Sequence, residues 1–163
     1  MSEKLPHFIW IILLAMAPVA ELRVGIPIAI SYEFTPLAAF GLGVLGNILP
    51  IPFVFFFIRP LFRYLRRLPF LHSIVEKLET KARYKSTRIA RYRFWGLVLF
   101  VAIPLPGTGA WTGALIASLL DMRFKLAMPA IFIGVLIAGI LVTALSTGAF
   151  AGWEWVKEVF ILK

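Results

Sequence analysis

Two of the four long apolar stretches in this chain are broken near their middles. The stretches cover residues 8–31, 34–58, 94–120 and 126–148. Each is longer than the roughly 20 residues that a helix needs to cross a bilayer. "APVAELRVGIP" interrupts the first and "IPLPGTGAWTG" the third. A proline removes a backbone donor and clashes with the preceding turn. Pro104, Pro106, Gly107 and Gly109 lie within six residues, too many for one kinked helix. In hydrocarbon the freed backbone groups need partners, so such a break survives only inside protein or beside a watery cavity. The spacing predicts two re-entrant hairpins, each of two half-helices. The alternative is four plain spans with proline kinks.

The second and fourth stretches read as ordinary spans. One carries Gly41, Gly43 and Gly46, with Pro50 and Pro52 bending its end; the other carries Gly134 and Gly139. Glycines there permit close helix contact. The order then repeats: broken stretch, span, basic loop, broken stretch, span. Pro18 and Pro104 each follow an apolar run, "IAIS" and "LIAS" stand 87 residues apart, and Gly41/Gly46 shares its spacing with Gly134/Gly139. A hairpin plus one span crosses the membrane once, so the halves would be inverted, as in many transporters. The expected fold is therefore a single all-α integral membrane domain, an inverted repeat of re-entrant hairpin plus transmembrane helix.

Composition agrees, since 61% of the residues are hydrophobic, more than a soluble domain of 163 residues can hide. The net charge of +9 sits in one place. Between Arg59 and Arg93 are eleven Lys/Arg against Glu76 and Glu79, while the remainder balances to zero. A basic loop between apolar segments is the positive-inside signal, placing 59–93 in the cytoplasm against anionic lipids rather than on nucleic acid. Within it Phe70, Leu71, Ile74, Val75, Leu78, Ala82 and Ile89 recur at helical spacing, with Glu79 and Arg83 as an i,i+4 pair. This predicts an amphipathic helix lying flat on the leaflet. Trp153 and Trp155 make 149–163 an interfacial tail. The N-terminal run resembles a secretory signal, but Pro18 spoils cleavage at either candidate site, so the segment is expected to be retained. The expected location is a prokaryotic cytoplasmic membrane, crossed more than once.

"ELRVGIPIAI", the "GN" at 46–47 and "PLPGTGAWTGALIASLL" together resemble the small multidrug export protein family, itself similar to a compact relative of the DedA (or VTT) superfamily. The resemblance covers about residues 8–148 and is most specific at the two broken motifs. It implies re-entrant hairpins and export. The larger DedA relatives carry an acid in the first hairpin and an arginine in the second. Glu21 fits the first role, but no ionisable residue lies between Arg93 and Asp121, and Arg23 is the nearest substitute.

An ionisable residue inside a membrane segment costs several kcal/mol unless paired or hydrated, which makes it a functional candidate. Glu21 and Arg23 do not share a face in a regular helix, yet at a break both can turn toward one cavity. Glu21 is the candidate proton-coupling group. A structural pair pinning the hairpin is the plainer reading of both. Gly107, Thr108 and Gly109 would open the outgoing half-helix and offer backbone donors and a positive dipole end. Thr108 and Thr112 would add hydroxyls, and Asn47 would either line the cavity or bond a neighbouring helix. Glu33, Asp121 and Arg123 read as solvated turns.

Three functions follow. The first is a transporter or flippase for an amphipathic substrate with an anionic head, a polyprenyl phosphate or a phospholipid, coupled or not to protons. The second is a proton-coupled exporter of lipophilic cations, and the third a membrane structural or assembly protein. There is no cysteine and no histidine pair for a metal, no nucleophile–base pair for an enzyme, and no cofactor motif. Gly109/Gly113 and Gly148/Gly152 offer GxxxG surfaces for a homodimer.

Overall fold

The structure, a computed structural model, describes residues 4–65, 92–105 and 107–160. These residues form helices α1 (Lys4–Met16), α2 (Glu21–Ser31), α3 (Pro36–Ile48), α4 (Ile51–Leu65), α5 (Arg93–Ala102), α6 (Ala110–Leu119) and α7 (Phe124–Phe160), with no strand among them. Pro36–Ile58 and Phe124–Ala149 are long and apolar enough to cross a membrane. The other apolar helices are shorter. At 1.5 Å per residue α5 and α6 reach about 15 Å, half a hydrocarbon core.

Prolines set several boundaries. α1 stops just before Pro18 and α5 just before Pro104. Pro36 opens α3, where its missing N–H costs nothing. Thr35 caps that end by accepting the Ala38 N–H at 3.3 Å.

The chain forms two compact units. One comprises residues up to Asn47 and from Leu136 onward; the other is Ile48–Val135. In the first, α1 packs on α2, and glycines bring the backbones together. A methyl group added at Gly25 would stand 3.1 Å from the Ala15 Cβ. One added at Gly46 would stand 2.7 Å from the same Cβ and 2.8 Å from the Ile12 carbonyl oxygen. In the second unit, α5 and α4 each pack on α6. Phe124 anchors the start of α7 on α4, its ring 5.4 Å from that of Phe55 and 4.9 Å from that of Phe56. Here a methyl at Gly113 would stand 2.6 Å from Val101 Cγ2, and one at Gly134 would stand 2.6 Å from Val101 Cβ and 2.9 Å from the Val98 oxygen. Gly113 and Gly134 each follow Gly25 and Gly46 by 88 residues, and they grip the corresponding turn of the corresponding helix.

The second half-helices also end alike. Glu33 and Asp121, again 88 apart, both adopt the left-handed conformation, with φ of 60° and 51°. Glu33 N–H bonds Ile30 O and Phe34 N–H bonds Ala29 O; Asp121 N–H bonds Ser118 O and Met122 N–H bonds Ala117 O. Each is a Schellman cap, whose left-handed position usually holds glycine. An acid there meets both the Cβ penalty and the negative end of the helix dipole. Glu33→Gly and Asp121→Gly are each expected to stabilise the protein by about 1 kcal/mol. The check is the thermal midpoint in detergent, expected to rise by a few degrees; a fall in both would mean that the carboxylates hold something in place.

The helix pairs α1–α2 and α5–α6 are fastened at matching places by different chemistry. The His7 ring lies 4.4 Å from that of Tyr32. Arg93 Nη1 donates to the Leu120 oxygen at 3.0 Å, a cation at a helix C-terminus.

Three details differ from the sequence reading. The second stretch turns at Leu49–Pro50 and continues as α4 to Leu65, so the helix enters the basic segment 59–93. The expected tail at 149–163 continues α7 unbroken to Phe160. The "IAIS"/"LIAS" match at 87 is one residue off the structural register, because packing aligns the second half-helices at 88. The amphipathic helix expected at 70–93 falls mostly on 66–91, outside the described residues, as do residues 161–163.

Candidate functional site

The first break, residues 17–20, is a tight turn that delivers Glu21 to the start of α2. The Glu21 N–H bonds the Ala17 oxygen at 3.0 Å. Its φ of 49° is left-handed, a conformation that costs a side-chain-bearing residue about 1–2 kcal/mol. Glu21 also lies on the packed face of α2 with Leu22, Gly25, Ile26 and Ala29, and only 4% of it is exposed. Among the residues whose side chains are described it is the one charged side chain that is buried. Arg23 points elsewhere around the helix and is half-buried, within electrostatic reach of Glu21.

Asn47 belongs to the same unit. It is 1% exposed, and its Oδ1 accepts no hydrogen bond from the described residues. Of the two roles open to it from sequence, an interhelical hydrogen bond through that oxygen is therefore not formed. α3 returns along α2 after the turn at 32–35, so that a methyl at Gly43 would meet Ile26 Cγ1 at 2.5 Å and Leu22 Cβ at 3.5 Å. Asn47 follows one turn further, about 6 Å on, next to Gly46, which packs on Ile12 and Ala15 of α1.

The second break holds backbone chemistry. Gly107 and Gly109 have φ of 82° and 142°, conformations that only glycine enters freely. Gly107 and Thr108 belong to the turn and Gly109 caps α6, which begins at Ala110, after the three residues expected to open it. The Thr108 N–H bonds the Leu105 oxygen at 3.2 Å. Its hydroxyl donates to the carbonyls of Ile103 (2.7 Å) and Leu105 (2.8 Å), so it holds the turn's shape. Thr112, half-buried, lies in the first turn of α6, where backbone N–H groups lack acceptors within the helix. Glu21, Arg23 and Asn47 thus share one unit, and Gly107, Thr108, Gly109 and Thr112 the other.

Sequence reasoning overlooked Ser118, buried on α6 with its Oγ unpartnered among the described residues. Nothing in an apolar run marks one serine as more buried than another. Among the described residues no three His, Asp or Glu side chains gather where they could hold a metal.

Residues 21–141 match the family described as "Putative small multi-drug export protein". No curated protein and no solved structure matches the chain. The matched region opens at Glu21 and takes in both second half-helices and most of both spans. With two apolar spans and this match over most of its length, the chain is a membrane protein that belongs to the small multidrug export protein family.

Proposed function

We propose that the protein is a proton-coupled exporter of amphipathic cations, with Glu21 as the group that takes either the cation or the proton. The burial of Glu21 carries this reading: among the residues whose side chains are described, the charged group in the packed interior is an acid, and the same unit buries the amide oxygen of Asn47 without a donor. A carboxylate out of water binds a cation or a proton far more strongly than a solvated one. The family's name agrees with export of drugs.

The architecture proposed with it is the inverted repeat of re-entrant hairpin plus span, in a multi-pass arrangement in a prokaryotic cytoplasmic membrane. Its support is the 88-residue recurrence of glycine contacts and Schellman caps, and the short half-helices on either side of each break. The likeness to the DedA superfamily belongs to the same proposal. So do a homodimer, contact of 59–93 with anionic lipid, and the absence of covalent chemistry on the substrate.

A second reading keeps the anionic-head flippase. Arg23 and the glycine-capped start of α6 favour it, since helix N-termini attract anions. Proteoliposomes separate the two. Under an imposed pH gradient, uptake of an amphipathic cation that competes with protons supports the exporter. Thermal protection by a polyprenyl phosphate, with none by any amphipathic cation, sinks it.

A further inference from the structure

We propose that Asn47 makes this site selective for cations that carry an N–H donor, so that protonated primary, secondary and tertiary amines are preferred over quaternary ammonium ions. The proposal rests on the exporter reading and names its substrate class. The Asn47 side chain is 1% exposed, and its Oδ1 accepts nothing from the described residues. A buried carbonyl oxygen without a donor is costly to keep, and it is rare in native structures. Its position says what would satisfy it. Gly43, one turn earlier on α3, packs on Leu22 and Ile26, and Gly46 packs on Ile12 and Ala15. Asn47 therefore stands on the stretch of α3 that packs against both α1 and α2, the helix that Glu21 opens.

A buried carboxylate and a buried amide oxygen in one unit, brought to a common ligand, would make a site for hydrogen-bond donors that are also positive. A protonated amine supplies both properties in one group. A quaternary ammonium supplies the charge but has no proton to give, and it would leave the oxygen as it is. A site that hydrogen-bonds its ligand rejects an analogue lacking the donor more sharply than shape alone allows. Hydrogen bonds to charged groups correspond to roughly tenfold to a hundredfold in affinity.

The test uses full-length protein in detergent and two ligands of one skeleton, an amphipathic tertiary amine and its N-methyl quaternary derivative. Binding is measured at a pH where the amine is fully protonated. The wild type should bind the amine at least about tenfold more tightly, and Asn47→Leu should bind both about equally while retaining the quaternary ion. Equal binding by the wild type overturns the proposal without needing any variant, and so does a preference that survives in Asn47→Leu. Either result leaves the exporter reading standing. Binding of neither cation removes the exporter reading and this proposal together.

Discussion

Glu21→Gln is expected to abolish coupled export while leaving the folded yield unchanged or slightly raised. The substitution keeps the side chain's size and its capacity to sit at the left-handed start of α2. It removes the charge and the titratable proton. The side chain is 4% exposed and packed with Leu22, Gly25 and Ile26 on one helix face, so any charge it carries is held out of water. Breaking a buried pair by removing one partner costs about 3–5 kcal/mol. For a bound cation that corresponds to a loss of roughly a hundredfold to several thousandfold in affinity. Uptake driven by a pH gradient should therefore fall to background, whereas the thermal midpoint should stay or rise. Retained coupled uptake in Glu21→Gln would move the acid to the structural role that the pair with Arg23 also permits. A collapse in folded yield would do the same.

The second large effect is expected at two glycines far apart in sequence. Gly46→Ala and Gly134→Ala should each destabilise the protein by about 1–3 kcal/mol. The added methyl would lie within 3.0 Å of a side-chain carbon and of a backbone carbonyl oxygen in both cases. A carbonyl fixed in a helix cannot turn aside, so the helices must separate. Gly46→Leu and Gly134→Leu should leave little folded protein. Gly41 and Gly96 serve as controls, because nothing lies within 4 Å of a methyl at either. Alanine at those two should be neutral or stabilising by about 0.5–1 kcal/mol. Midpoints in detergent decide it. A tolerant Gly46 paired with a sensitive Gly134 would mean that the two hairpins are not held by the same contact.

Helix placement was largely legible from sequence because prolines mark it. The spans read as 34–58 and 126–148 are found at 36–58 and 124–149, and both breaks fall where Pro18 and Pro104 stop the preceding helix. The register of the recurrence was not legible, for a physical reason. Four residues separate the end of α1 from Glu21, while six separate the end of α5 from Gly109, the residue that corresponds to Glu21. First half-helices therefore correspond at 86 residues and second ones at 88, and no single spacing of letters aligns both. The Schellman caps were hidden too, since Glu33 and Asp121 stand where glycine is the usual signal.

Of the site, the burial of Glu21 could be argued from its apolar surroundings. The depth of Asn47 could not, because a polar residue on an apolar helix turns inward or outward according to neighbours that only packing supplies. Thr108 illustrates the same limit. Its hydroxyl looks available in the sequence, yet two carbonyls of its own turn claim it.

At the entry to the second half-helix the two breaks part company. The residue with positive φ is Glu21 in one and Gly109 in the other, 88 positions later. Packing is duplicated there, but ionisable chemistry is not. If Glu21 binds as proposed, these two breaks offer a single equivalent for a cation or a proton, and a binding isotherm is expected to saturate at one per chain. The second break, with no ionisable residue between Arg93 and Asp121, contributes nothing to that stoichiometry.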